Sequence, residues 1–250
     1  MRVRKWQIEL AGLLILLTSA FYVARWLLFP GEALHSEMLR FLVGDIAFLF
    51  LQVLLVTVFI DRVAQQRDRE EMRQKLNMVV GAFFSEAGTA LLGRLAVADS
   101  NLSEVRGDLV PRLSWKPTDY DSARHAFRAH DARVDLTSCD LGDLKQLLSA
   151  EKSYFLGLLG NQSLLEHERF SDLLWAVTHL AEELEVRPDL SNLPVPDAAH
   201  LKGDVRRAYV LLGEEWISYL QHLQTNYPYL FSLAVRTNPL DPEAQVTVTE

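Results

Sequence analysis

The chain has 250 residues, a formal net charge of −8 and a single cysteine, Cys139. The acidic balance argues against a nucleic-acid partner, because proteins that bind nucleic acids present basic surfaces. One cysteine cannot form an intramolecular disulfide or a cysteine-based zinc site, so the chain fits a reducing compartment. No GxSxG, P-loop, Rossmann glycine or HExxH pattern occurs, so we predict no catalytic residue and no cofactor.

Two apolar segments predict a transmembrane hairpin in residues 1–60, with spans at about 8–29 and 41–60. Each span has about 20 residues, the length that crosses a hydrocarbon core of about 30 Å. A cleaved signal peptide is disfavoured, because the first apolar stretch exceeds the roughly 7–15 residues of such a signal. A buried core helix is disfavoured for the second span, because its apolar residues are almost uninterrupted.

Basic residues on either side of the two spans predict their orientation. The loop between the spans has Arg40 as its one strong base, whereas both outer flanks are basic: Arg2, Arg4 and Lys5 before the first span, and Arg62, Arg67, Arg69, Arg73 and Lys75 after the second. The positive-inside rule then places both termini in the cytoplasm and the loop outside. We therefore expect a multi-pass protein of the cell inner membrane, with the lipid bilayer as a partner.

Polar residues within and beside the spans occur at complementary depths. In an antiparallel hairpin, residues whose numbers sum to a constant face each other. Three pairs meet this condition to within one residue: Arg25 with Asp45, Thr18 with Gln52, and Glu9 with Arg62. Pairing is expected because an unpaired charge in lipid is costly. The alternatives are an ion or proton path through a homo-oligomer, and an Arg25 side chain that reaches the outer surface alone.

Residues 61–98 are predicted to form a juxtamembrane and central helix that continues the second span. The arginines after residue 61 lie where anionic lipid head groups would be, but the interleaved Asp68, Glu70 and Glu71 favour a solvated face with local ion pairs. Further along, apolar residues occupy one face from Leu76 onward. Small residues occupy the opposite face, which predicts close approach of a second helix: Gly81, Ser85 and Gly88.

Residues 99–237 are predicted to form a cytoplasmic helical bundle, so that the fold class is all-α. Residues 99–117 read as a loop with a short helix at most, and 238–250 as a flexible tail. Thr118 is the predicted cap of the first bundle helix, with Asp121 in the reciprocating position. The predicted helices are 119–130, 140–160, 162–186, 197–225 and 227–236, with a proline-rich linker at 187–196.

The helix predicted at 162–186 carries the one cluster that resembles a metal site. Four potential ligands lie on one stripe of it: Glu168, Asp172, His179 and Glu183. The stripe is opposite the apolar face and lacks the Glu-x-x-His spacing of di-iron bundles, which favours a solvated acidic face over metal binding. Trp175 lies among these acids, on a face that is predicted to meet water. A further surface that covers this side of the helix would explain such a position for a large aromatic residue.

Five runs of the sequence resemble a known family: KWQIELAGLL, GDIAFLFLQVLLVTVFI, KLNMVVGAFFSEAGT, FSDLLWAVTHLAEEL and YPYLFSLAVRTNP. The family comprises uncharacterised bacterial and archaeal membrane proteins with two N-terminal spans and a cytoplasmic helical region. The resemblance covers nearly the whole chain, and it implies no activity and no functional residues.

The sequence therefore predicts a membrane-anchored, non-enzymatic helical module that holds or senses a protein partner at the inner membrane. Two alternatives remain open. One is a metal- or ligand-dependent enzyme or sensor that uses the histidine-bearing helix at 162–186, and the other is a channel-like oligomer.

Overall fold

A computed structural model describes residues 5–28, 34–161, 164 and 167–247. Within these ranges the chain is all-α, as predicted, and its β structure is limited to one isolated antiparallel bridge between Asp99 and Val134. The chain divides into two compact units, Met1–Glu71 and Met72–Glu250.

The first unit contains α1 (Lys5–Leu28) and the N-terminal part of α2 (Leu34–Phe83). The two helices contact each other through Thr18, whose hydroxyl donates to the Ala47 carbonyl at 3.5 Å. The Phe21 and Phe50 rings pack with their centroids 5.6 Å apart. The contact buries Ala47 completely, because its small side chain allows close approach of the two backbones.

The described residues include both side chains of two of the three polar pairs predicted for this unit. Thr18 bonds a backbone carbonyl instead of Gln52, since a threonine hydroxyl readily satisfies itself on a nearby helix backbone. The side chains of Gln52, Glu9 and Arg62 are exposed, and no hydrogen bond joins the predicted Thr18–Gln52 or Glu9–Arg62 pair in the described part of the chain. The pairing of Arg25 with Asp45 stays a prediction, because the Arg25 side chain lies outside the described residues.

One helix among the described residues, the one containing α2, is long and apolar enough to cross a membrane. Its most apolar window is only 6% buried. The described apolar part of α1, Ile8–Ala24, is shorter. The helix pair predicted in residues 1–60 is thus present as two contacting helices, and within the described residues the helix containing α2 is the one that has the length and composition of a membrane span.

The second unit begins within α2, which continues through a π-helical turn at Phe84–Gly88 into α3 (Thr89–Val97). A 3₁₀ turn at Leu102–Glu104 precedes the short α4 (Arg106–Leu109). The longer helices follow: α5 (Pro117–Ala129), α6 (Leu141–Leu159), α7 (Glu168–Glu185), α8 (Val195–Asn226) and α9 (Pro228–Arg236). Each lies within a few residues of a helix predicted from periodicity.

The core of the second unit is built around α8, which packs against α3, α5, α7 and α9. The π turn places two adjacent rings, Phe83 and Phe84, in this core together, and both are buried. Phe83 meets Phe170 edge-on, with centroids 5.3 Å apart, and Phe84 stacks on Tyr219 at 5.2 Å. Such aromatic contacts contribute about 0.5–1.5 kcal/mol each beyond the area that they bury.

The small residues predicted opposite the apolar face of this central helix play different roles. A Cβ at Gly81 would lie 3.5 Å from the Tyr219 ring of α8, so a second helix does approach there. At Gly88 the space is filled by the Phe83 and Phe84 rings, which the π turn brings back over their own helix. Ser85 is exposed.

The start of α5 differs from the predicted cap at Thr118. The helix begins two residues earlier than predicted, at Pro117, and the Asp119 carboxylate accepts the Lys116 backbone N–H at 2.7 Å. Proline is well suited to the first helical position, because its fixed φ matches the helix and its missing N–H would have no partner there. Asp121 instead forms an ion pair with Arg124.

Candidate metal centre

Two histidine–carboxylate pairs face each other across the α7–α8 contact. His179 and Glu183 are four residues apart on α7, and His200 and Asp204 are four residues apart on α8. Residues at i and i+4 lie one above the other on the same face of a helix. The four side chains therefore converge, and one ligand atom from each lies within 4.8 Å of the other three.

The apolar residues beside these pairs hold the two helices together. Four of them are fully buried in the core of the second unit: Leu180 and Leu184 on α7, and Leu201 and Val205 on α8. Burial of one such side chain stabilises a fold by about 1.5–3 kcal/mol. The backbone positions of the four polar residues are thus set by the core and not by contacts among the polar groups themselves.

The distances within the group are those of ligands to a common ion. His179 Nε2 lies 3.7 Å from Glu183 Oε1 and 3.6 Å from Asp204 Oδ2. His200 Nε2 lies 3.7 and 3.3 Å from the same two oxygens. All four distances exceed the usual 2.7–3.2 Å of a hydrogen bond. Ligands bound at about 2.0–2.2 Å to a tetrahedral ion are about 3.3–3.6 Å apart, so two of the four distances fall in this range and the two of 3.7 Å lie just above it.

Each carboxylate directs one oxygen at this group and the other at an arginine. Arg187 donates to Glu183 Oε2 at 2.6 Å, and Arg207 donates to Asp204 Oδ1 at 2.9 Å. Arg187 is itself held by both oxygens of Asp197. Its hydrogen bond also lowers the pKa of Glu183, which keeps this carboxylate in the anionic form that a metal requires. Outer partners of this kind orient metal ligands and adjust their affinity.

Asp204 is the most informative member of the group. Its side chain is only 3% exposed, and its Oδ2 atom has no hydrogen-bond partner among the described residues. A buried carboxylate oxygen without a hydrogen bond is strongly unfavourable unless a cation compensates it. The histidine side of the group is open, with the His179 and His200 side chains 45% and 55% exposed, so an ion has access from solvent.

Only half of the stripe predicted on α7 belongs to this group. His179 and Glu183 are members, whereas Glu168 and Asp172 are exposed nearer the start of the helix. The missing half comes from α8, for which the sequence predicted only a helix at 197–225 and no ligands. A search for histidine followed four residues later by a carboxylate finds both halves, because this spacing occurs at 179–183 and again at 200–204.

The fold and the site together define an all-α protein with an N-terminal helix pair and a C-terminal helical domain that carries a two-histidine, two-carboxylate group. Two family profiles match along the same division. The profile described as MJ1433, N-terminal helical domain, covers residues 2–64, and that of the C-terminal helical domain of uncharacterized protein MJ1433 covers residues 72–236.

The uncharacterized protein MJ1433 of Methanocaldococcus jannaschii is 39% identical to the chain over 241 residues, which is 96% of each protein. The chain therefore belongs to the MJ1433 family. The predicted resemblance to a family of uncharacterised proteins with helical domains is confirmed. No solved structure matches the chain.

Proposed function

We propose that the chain is a membrane-anchored helical module whose C-terminal domain binds a divalent transition-metal ion. The observation that carries this function is the convergence of His179, Glu183, His200 and Asp204, with ligand atoms within 4.8 Å of one another. Two carboxylates balance the charge of one divalent ion. This proposal favours the metal-dependent alternative over a module without metal.

The donor set indicates which ions fit. Two imidazole nitrogens favour zinc and the first-row transition metals over magnesium and calcium, which prefer oxygen ligands. The four nitrogen–oxygen separations of 3.3–3.7 Å are compatible with one four-coordinate ion, and four is the coordination number that zinc adopts most readily. Zn²⁺ is therefore the first ion to test, followed by Mn²⁺, Fe²⁺ and Co²⁺.

The test is a titration of Zn²⁺ into the full chain, purified in detergent and freed of metal with a chelator. We expect one ion per chain, and raised thermal stability when the ion is bound. His179→Ala and His200→Ala should each weaken binding about 100-fold or more, because each removes a direct ligand; loss of an outer partner alone typically lowers affinity about 10–100-fold.

The matched control is His125→Ala, since His125 is exposed on α5 outside the group. This variant should bind zinc as the unchanged chain does. Absence of stoichiometric binding, or equal loss in all three variants, would show that the four residues form only a solvated charge cluster.

The anchor in this proposal is supported by the apolar surface of α2. Its most apolar window is 6% buried, whereas the core helix of a soluble protein is mostly buried. Large side chains such as Phe48, Leu55 and Phe59 are more than half exposed, and an apolar surface of this extent needs a cover. The basic flanks then favour cytoplasmic termini at the inner membrane.

Retention of a protein partner at the membrane is the second candidate function. It is favoured by Trp175, which is 62% exposed on α7, four residues before His179. Tryptophan is enriched at protein interfaces because it combines a large apolar ring with one polar group. The zinc titration separates the two functions, because a chain that binds no metal leaves partner retention as the better supported one.

A further inference from the structure

A row of long polar side chains follows the apolar part of α2. Four of them line a cleft of about 310 Å³: Arg62, Gln65, Gln66 and Arg69. Their spacing of i, i+3, i+4 and i+7 places them on one face of the helix. At 3.6 residues per turn, Arg62 and Arg69 are only about 20° apart around the axis.

The acids that interleave with these residues in the sequence lie on other faces. Relative to Arg62, Glu70 is about 80° around the helix, Asp68 about 120° and Glu71 about 180°. The sequence pattern suggested that the acids neutralise the arginines. Helix geometry separates them, because neighbours in the sequence are about 100° apart on the surface.

The cleft presents two guanidinium groups that are available to an anion. Neither Arg62 nor Arg69 has an ion-pair partner among the described residues, and both are exposed. Asp61, at the edge of the same region, accepts a hydrogen bond from Gln65 Nε2 at 2.9 Å. A guanidinium offers two parallel N–H donors to a phosphate, which makes arginine an effective phosphate ligand.

The cleft also lies at the depth of lipid head groups if α2 spans a bilayer. Ile60 is the last residue of the apolar segment, and Arg62 and Arg69 follow it by about 3 and 14 Å along the axis. Helix side chains lean toward the N-terminus, here toward the membrane. The head-group layer is about 5–8 Å thick on each side, so Arg62 starts within this layer and the long Arg69 side chain reaches toward its outer edge.

We infer that this cleft binds the phosphate of an anionic phospholipid head group through Arg62 and Arg69. The inference rests on the proposed membrane anchor and is independent of the metal centre. It assigns the basic flank a specific ligand in addition to its effect on orientation. Juxtamembrane arginines each add about 1 kcal/mol of attraction to an anionic surface, and a bidentate site concentrates that attraction on one lipid.

The test uses the full chain reconstituted in nanodiscs of phosphatidylcholine with about one phosphatidylglycerol in five lipids, which gives an anionic surface. Lipids that remain bound after transfer to detergent are counted by native mass spectrometry. We expect retained phosphatidylglycerol to be enriched over phosphatidylcholine. The double variant Arg62→Gln with Arg69→Gln should lower that enrichment about 30-fold, because about 1 kcal/mol per arginine is lost and each 1.4 kcal/mol is a factor of about ten.

Arg67→Gln provides a control that also removes one positive charge but keeps both cleft arginines. Arg67 is about 140° from Arg62 around the helix, so this variant should retain the enrichment. A second variant, Arg62→Lys with Arg69→Lys, keeps the charge but loses the bidentate donors and should recover only part of it. Equal loss in the Arg67 control, or no enrichment in the unchanged chain, overturns the inference.

A competition with inorganic phosphate shows whether the cleft binds the phosphate of a lipid head group or a free phosphate ion. At millimolar concentration it should not displace the retained lipid, and displacement would show that the cleft takes a free anion instead. Failure of the chain to enter nanodiscs, seen as separate elution on size exclusion, would contradict the anchor itself. Entry without phosphatidylglycerol enrichment would contradict only the lipid site.

Discussion

Two buried acids on α8 have contrasting surroundings. One oxygen of Asp204 accepts a hydrogen bond from Arg207, and the other faces two histidines. Glu215 is buried in the same helix, and its pKa is raised to about 7 because burial disfavours the charged form. Glu214 adds to the increase, whereas Arg169 and Arg124 oppose it.

The Glu215→Gln variant tests the effect of this burial on stability. The folded-state pKa of about 7 lies above the ordinary value of 4.5, so the folded chain holds the proton more tightly than the unfolded chain does. Stability therefore falls as the pH rises from about 4.5 to 7. At pH 8 the glutamine variant should be more stable than the unchanged chain by about 3 kcal/mol, and near pH 4 the difference should vanish.

Denaturant unfolding of the full chain in detergent at both pH values measures this difference. Glu182→Gln serves as the control, because Glu182 is exposed on α7 and its replacement should change little at either pH. A stabilisation of Glu215→Gln that is the same at pH 4 and pH 8 would contradict a titration of this carboxyl group.

At the scale of the helices, the contact between α5 and α8 depends on one glycine. The Phe127 ring of α5 packs so closely on α8 that a Cβ at Gly213 would overlap it. Phe127 is buried and meets Tyr209 edge-on with centroids 5.2 Å apart. The ring cannot move away without opening the core, because α8 lies at the centre of the second unit.

Gly213→Ala should therefore destabilise the chain by about 1–3 kcal/mol, the usual effect of overpacking a core. Gly203→Ala is the matched control on the same helix, since a Cβ there has no heavy atom within 4 Å. That change should stabilise the chain by about 0.5–1 kcal/mol through helix propensity. Thermal unfolding of both variants gives the comparison, and equal effects would contradict the close approach at Gly213.

The sequence predicts the helices of this fold better than their ends and contacts. Periodic apolar residues set the approximate extent of α6, α7 and α8, because each helix must bury one continuous face. The start of α5 was predicted from a threonine signal, although Pro117 and Asp119 provide a stronger one in the structure. The π turn at Phe84–Gly88 leaves no periodic signal, since five residues are too few to establish a period.

The sequence analysis named two residues of the candidate metal centre but favoured a solvated acidic face over metal binding. His179 and Glu183 were recognised on one helix, but a metal site on helices needs the facing residues as well. Their identity depends on which face of α8 meets α7, and this follows from packing and not from either helix alone. His200 and Asp204 carry the same four-residue spacing, so a search for repeated spacing is the signal that the sequence does contain.

At the scale of the whole molecule, the chain divides at Glu71 and Met72. The two family profiles divide it at nearly the same place, between residues 64 and 72. The first unit supplies exposed apolar surface and basic flanks, and the second supplies the metal group. The proposed function assigns anchoring to the first unit and ion binding to the second, so each can be tested without altering the other.

The proposed orientation in the membrane is tested with single cysteines at two positions. The native Cys139 is buried and is first replaced by alanine, so that only an introduced thiol reacts. Ser36→Cys lies in the sequence between the two predicted spans, and Ser100→Cys is exposed in the second unit. Basic residues resist transfer across the membrane, so the flanks before and after the two spans should stay in the cytoplasm.

In intact cells, a membrane-impermeant maleimide should therefore label Ser36→Cys and leave Ser100→Cys unlabelled. After the membrane is permeabilised, Ser100→Cys should react as well, which shows that its thiol is accessible and only shielded by the bilayer. Labelling of Ser100→Cys in intact cells would place the metal-binding unit outside. Recovery of the chain in the soluble fraction would contradict the anchor, because the exposed apolar surface of α2 would then be covered by protein and not by lipid.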